Sequence, residues 1–286
     1  MADRSTDRKP FRKRLGIKLL LALIAVLVLA AIFMSRHADS HTLSALPAEE
    51  PQDVPQEEEV PAQPEQPEPP KEPEIVTYNY SLQVPRNEAV DETYFNDAIF
   101  IGNSRTEGFI LYSGLANATS YTSRGLMVNT VFTDRVINMN GKKISVMAAV
   151  QANPDFSKVY IMLGTNELGW VYSNLFIKKY GEIIDALQAI NPEALIYVQS
   201  ILPVTKSKSA KDKIYNNPKI NQFNALLSKM AEEKKIYYLN VAEAVADSKG
   251  NLPEGSAYDG VHLKKAYCIK WLEYLKCHTV EREEHN

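Results

Sequence analysis

A chain of 286 residues with 45% hydrophobic and 23% charged residues has room for one ordinary domain and further segments beside it. Its net charge of −3 is unevenly spread: +5 over residues 1–18, −9 over residues 42–76 and +1 over residues 77–286. A nearly neutral body carries no basic excess and excludes a general nucleic-acid binder, while the two cysteines, Cys268 and Cys277, fit no zinc spacing.

Residues 1–14 are a basic segment carrying Arg4, Arg8, Lys9, Arg12, Lys13 and Arg14. Residues 15–34 are almost wholly apolar, broken by Lys18. Twenty helical residues at ~1.5 Å each reach about 30 Å, the thickness of a bilayer core. The basic flank marks the cytoplasmic side, so this segment is expected to be an uncleaved transmembrane signal anchor. Everything after Ser35 then lies outside the cytoplasm, on a single-pass protein of the cell membrane. A cleaved signal peptide is the rival reading; the apolar run is long for one, and Met34-Ser35-Arg36-His37 is a poor cleavage context.

Residues 35–77 are rich in Pro, Glu and Gln, as in Pro61-Ala-Gln-Pro-Glu-Gln-Pro-Glu-Pro-Pro70. So little apolar surface cannot offset the entropy of ordering, and a disordered, extended stalk is expected. Residues 78–286 have globular composition and form the expected folded domain.

Within that domain, short apolar runs alternate with segments of helical period. Strands are expected at residues 98–101, 158–163, 195–198 and 236–239, with a weaker one at 118–121. Helices are expected at 106–112, 176–190, 220–233 and 263–275, the second ended by Asn191-Pro192. Apolar strands alternating with helices imply a parallel sheet covered on both faces, with ligands bound beyond the carboxyl ends of the strands. If the last helix carries both cysteines, nine residues part them by about 13 Å along its axis, too far for an internal disulfide.

Three groups of residues stand at those positions. The first strand runs into Gly102-Asn103-Ser104-Arg105. A serine lifted off a strand-to-helix turn faces a helix N-terminus that favours developing negative charge; a plain helix N-cap is the alternative. The second clear strand ends in Leu163-Gly164-Thr165-Asn166-Glu167, where Asn166 can aim an amide at an oxyanion, or simply suit a turn. Tyr258-Asp259-Gly260-Val261-His262 follows near the end. An Asp three residues before a His can hold its Nδ1–H and leave Nε2 free to take a proton, or the pair can belong to an ordinary Asp-Gly turn. The other four histidines lie at the start of the stalk (His37, His41) or in the tail (His278, His285).

Together, Gly102-Asn103-Ser104, Gly125, Gly164-Thr165-Asn166-Glu167 and Asp259-Gly260-Val261-His262 resemble the four blocks of the SGNH (GDSL) hydrolases. The resemblance implies a three-layer α/β/α flavodoxin-like fold over most of residues 98–276. It implies Ser104 as nucleophile, His262 as base and then acid, and Asp259 as its orienting group. The backbone N–H groups of Ser104 and Gly125 and the side chain of Asn166 would form the oxyanion hole. Two departures are present: Asn103 stands where the family usually has Asp, and Glu167 where Asp is commoner. The activity implied is acyl transfer from an ester to water, with no cofactor and no metal. Expected substrates are acylated small molecules or glycans, O-acetyl carbohydrate of the cell envelope first; Trp170 and Tyr172 either stack on a sugar ring or are core or rim residues. An acyltransferase, a lipid esterase and a glycan-binding domain without turnover are the alternatives.

Overall fold

The computed structural model describes residues 78–280. The expected cytoplasmic tail, signal anchor and stalk lie outside the described residues, as do the last six residues of the domain. Among the described residues no helix is long and apolar enough to cross a membrane.

Among the described residues, seven strands and seven α-helices follow a 3₁₀ turn at Glu92–Phe95. The strands are β1 (Ala98–Gly102), β2 (Thr119–Thr122), β3 (Ile137–Met139), β4 (Lys142–Ile144), β5 (Lys158–Met162), β6 (Leu195–Gln199) and β7 (Tyr237–Leu239). The helices are α1 (Ser104–Tyr112), α2 (Val146–Ala152), α3 (Ser173–Ile190), α4 (Lys206–Lys211), α5 (Asn217–Lys234), α6 (Ala242–Val245) and α7 (Lys265–Cys277). Five strands form one parallel sheet in the order β2-β1-β5-β6-β7. Its chain order reverses between β1 and β5, the crevice where open α/β sheets hold their ligands.

Both faces of the sheet are covered because its strands are apolar on both sides. Ile99, Ile101, Val159, Ile161, Ile196 and Val198 meet α2, α3 and α5 on one face. Phe100, Tyr160, Met162 and Tyr197 meet α1 and α7 on the other. The parallel register places Phe100 beside Tyr160 and Tyr160 beside Tyr197. Their rings accordingly stack at 4.8 and 4.7 Å, both 9° from coplanar, close to the spacing of the strands themselves. In α3, Phe176, Tyr180, Ile183, Ile184 and Leu187 are buried at helical spacing, each large side chain contributing about 1.5–3 kcal/mol.

The expected elements are present with shifted ends. The weak strand at 118–121 runs over Thr119–Thr122, and the last helix begins at Lys265, so His262 sits on the loop before it. The antiparallel β3–β4 hairpin was not expected. Its flanks are too short to show alternation, yet Asn140 (φ 52°) and Gly141 (φ 79°) form the left-handed pair that tight hairpins require. Helices α2, α4 and α6 were also not expected; with four to seven residues, none fills the window of roughly 11–18 residues in which a helical period shows. Cys268 and Cys277 both lie on α7 as buried free thiols. His278, read as part of the tail, instead packs against Tyr274 with its Nδ1 2.7 Å from the Tyr274 carbonyl.

Candidate active site

The end of β1 shows why its sequence is Gly-Asn-Ser. A Cβ on Gly102 would lie 2.0 Å from Thr106 Oγ1 and 2.8 Å from the Met162 carbonyl, so only glycine lets α1 begin this close to the sheet. Asn103, fully buried, is the N-cap, its side chain accepting from the Arg105 N–H at 3.1 Å. Asn103 in this role frees Ser104 from capping. Ser104 is the first residue of α1, with its own N–H among those a helix leaves without an intrahelical partner.

The Ser104 hydroxyl lies 2.9 Å from His262 Nε2. On the far side of the ring, His262 Nδ1 lies 2.8 Å from Asp259 Oδ2. The other carboxylate oxygen of Asp259 accepts from the backbone N–H groups of Val261 (2.9 Å) and His262 (2.8 Å). Burial pushes the Asp259 carboxyl up, but these N–H donors and the imidazole outweigh it and bring it down to about 2. The carboxyl is therefore ionised throughout the physiological range, with one oxygen fixed by backbone and the other left for the ring. The loop is closed at its base by an antiparallel bridge between Ala257 and Leu263 and by the Tyr258 N–H donating to the His262 carbonyl at 2.9 Å.

Arg105, the residue after Ser104, is buried and ties two stretches of chain to the start of α1. Its guanidinium donates to the carbonyls of Leu202, Pro203 (2.9 Å) and Val261 (2.8 Å), the last being one residue before His262. Burial lowers its pKa to about 10, against the pull of Asp259, so it remains a cation. Sequence reasoning did not single it out. A charged residue between the serine and the apolar face of α1 was the available signal, since a buried guanidinium needs several acceptors.

Across the crevice, β5 leads into Gly164, whose φ of +121° favours glycine and where a Cβ would meet Ile201 Cδ1 at 2.4 Å. Asn166 follows. Its Nδ2 donates to the carbonyls of Arg124 (3.2 Å) and Leu126 (2.9 Å), the two neighbours of Gly125. The structure thus brings Asn166 to the Gly125 loop, with the amide hydrogens on that loop's carbonyls. Glu167, fully buried, accepts from the Val128 N–H at 2.7 Å through one oxygen, while the other has no partner among the described residues. Burial raises its carboxyl to about 7 against the pull of Val128 and other backbone donors. The Ser123 N–H donates to the Gly102 carbonyl at 3.2 Å, so the 123–128 loop is fastened to both β1 and the Asn166 turn.

A cleft of about 340 Å³ opens beside Ser104 and His262, walled by α1 and by the 258–263 loop. Trp170 and Tyr172 do not line it. Trp170 packs against the core and Tyr172 is 70% exposed elsewhere, because the turn after Asn166 carries them away from the serine. The cleft's aromatic residues are instead Tyr112 and Tyr258. Among the described residues no group of His, Cys, Asp and Glu could hold a metal ion.

A model of the GDSL-like lipase/acylhydrolase family matches residues 100–266, more than half of the chain and the span that holds every residue above. No curated protein matches. Among solved structures, one described as a platelet activating factor from Streptococcus pneumonia is 21% identical, covers 65% of this chain and 89% of its own, and has a TM-score of 0.51. A GDSL-like lipase from Bacteroides thetaiotaomicron is 16% identical over 70% of this chain and 90% of its own, with a TM-score of 0.47. A carbohydrate acetylesterase from Sinorhizobium meliloti is 13% identical over 63% and 96%, also at 0.47. At these identities the likeness concerns the fold.

Proposed function

The chain belongs to the GDSL-like lipase/acylhydrolase family, and from that premise we propose that it is a serine esterase acting through Ser104, His262 and Asp259. The observation that carries the reading is the unbroken hydrogen-bonded line from Ser104 Oγ through both ring nitrogens of His262 to Asp259.

In the proposed reaction Ser104 Oγ bonds to the ester carbonyl carbon as its proton passes to His262 Nε2. The carbonyl oxygen becomes an oxyanion beside the N–H groups of Ser104 and Gly125 and the Asn166 amide. The Asn166 hydrogens held by Arg124 and Leu126 must in part turn to the oxyanion for that last contribution. The carbon–oxygen bond to the alcohol then breaks, and His262 returns its proton to the departing oxygen. Water, deprotonated by His262, releases the acid and restores Ser104. Asp259 stays ionised and holds the ring. The proposed substrate is an O-acetyl ester on extracellular carbohydrate, in keeping with the acidic, proline-rich composition of residues 42–76 ahead of the esterase domain.

A fluorophosphonate ester tests the nucleophile directly. Peptide mass analysis is expected to find one equivalent of label, on Ser104. Label elsewhere, or none on the folded chain, would remove Ser104 from the reaction.

The topology proposed is a single-pass anchor at residues 15–34 with the esterase domain outside the cytoplasm. The full-length chain is expected to stay in the membrane pellet through a high-salt wash and to leave it only with detergent. Release by salt alone would overturn the anchor.

A further inference from the structure

The cleft beside Ser104 has a direction. His262 must hand its proton to the oxygen of the departing alcohol, so the alcohol leaves on the Nε2 side of the scissile carbon, and the oxyanion forms on the other. The cleft is walled by His262 itself together with Tyr258 and Leu263 of its loop; from the oxyanion side only Arg124 reaches it, and neither Gly125 nor Asn166 lines it. It therefore lies on the leaving-group side. From Ser104 it follows α1 past Gly108 to Leu111 and Tyr112, about 10 Å for seven helical residues. Such a length suits a bulky alcohol; an acetyl group needs none of it.

The chemistry of the walls narrows the alcohol further. Tyr258 is 66% and Tyr112 37% exposed, each presenting a flat apolar face with a hydroxyl at its edge. Glu107 and Arg124 stand at the rim as an open ion pair, Arg124 Nε to Glu107 Oε2 at 3.6 Å. A carboxylate and a guanidinium side by side offer acceptors and donors to vicinal hydroxyls while cancelling each other's charge. Lys264 holds its ammonium 6.0 Å over the Tyr258 ring and is thereby drawn to that face, while the buried Arg105 guanidinium is taken up by backbone carbonyls. Aromatic faces with a neutral donor–acceptor pair suit a hydroxylated ring, and the paired Glu107 and Arg124 bring no net charge to favour an ionic headgroup.

We propose that this groove, formed by Gly108, Leu111, Tyr112, Tyr258, Glu107 and Arg124, is the alcohol subsite of the esterase and takes a neutral sugar ring. The proposal rests on the esterase reading given above.

Gly108 supplies the test. A Cβ placed there has no atom within 4 Å, and leaving glycine in a helix favours the fold, so Gly108→Leu fills the groove without breaking α1. Full-length parent and variant are assayed on ethyl acetate and a mono-O-acetyl methyl glycoside, which differ in the alcohol. They are also assayed on p-nitrophenyl acetate and hexanoate, which differ in the acyl chain. The expected result is a rise of about tenfold in the glycoside-to-ethyl-acetate ratio of KM, equivalent to ~1.4 kcal/mol, with the hexanoate-to-acetate ratio unmoved. A penalty that grows with acyl length would make the groove an acyl pocket and overturn the proposal. No change in either ratio would leave the groove unused and overturn it equally. Glu107→Ala checks the sugar preference: kcat/KM on the glycoside is expected to fall relative to p-nitrophenyl acetate, and equal losses on both would remove it. Parent turnover of ethyl acetate keeps the two readings apart, since a chain that cleaves no ester sinks the esterase and the subsite together.

Discussion

Ser104→Ala is expected to lower kcat on p-nitrophenyl acetate by roughly 10⁴- to 10⁶-fold, the scale seen when one member of a concerted serine triad is removed. The substitution deletes one oxygen that hydrogen-bonds to His262 Nε2 at 2.9 Å. The start of α1 is capped by Asn103, so the helix loses no cap. The thermal midpoint should accordingly stay within about 2 °C of the parent's, less than ~1 kcal/mol for a domain of this size. Because serine and imidazole act as one unit, the double variant Ser104→Ala/His262→Ala is expected to be no slower than either single one. Turnover by Ser104→Ala above a tenth of the parent's would end the nucleophile assignment. Additive losses would show that the two residues act in separate steps.

The second large effect concerns stability and comes from Glu167. Its carboxyl is fully buried and raised to about 7 in the folded chain, against an ordinary value near 4.5. Between those values the folded state holds a proton that the unfolded state has released. The contribution of Glu167 to stability is therefore complete below about pH 4.5 and is lost as pH rises toward and through 7, by about 3 kcal/mol in all. Glu167→Gln keeps an oxygen for the Val128 N–H and cannot ionise. Urea unfolding at pH 5 and pH 8 should show a falling midpoint for the parent and a much flatter one for Glu167→Gln. Equal pH slopes for the two chains would mean that Glu167 is not the group responsible. The link to function is spatial: Val128 closes the loop that carries Gly125. Ionising a carboxylate in this apolar place loads the same loop that Asn166 fastens.

Amino-acid order alone went far toward the fold. Runs such as residues 158–163, and the helical spacing of Phe176, Tyr180, Ile183 and Leu187, state their own period, because local burial demands it. What escaped was short: β3, β4 and α2 have three to seven residues each, less than a window in which either period can show. The Asn140-Gly141 turn between β3 and β4 was the readable exception.

For the site, sequence by itself determined which chemical groups are present and that each follows a strand or precedes the last helix. It left Ser104 open between cap and hydroxyl nucleophile; Asn103 turned out to be the cap, which leaves the Ser104 hydroxyl to face His262. It left Trp170 and Tyr172 open between sugar stacking and core or rim positions, which they take, whereas Tyr112 and Tyr258 line the cleft beside the serine. The contacts that order the site join residues far apart in the chain: Ser104 to His262, Arg105 to Leu202 and Val261, Asn166 to Arg124, Glu167 to Val128. Such pairs carry no local period. They exist only because the parallel sheet gathers the carboxyl ends of β1, β5 and β6 at one edge, where side chains desolvated together must find each other as partners.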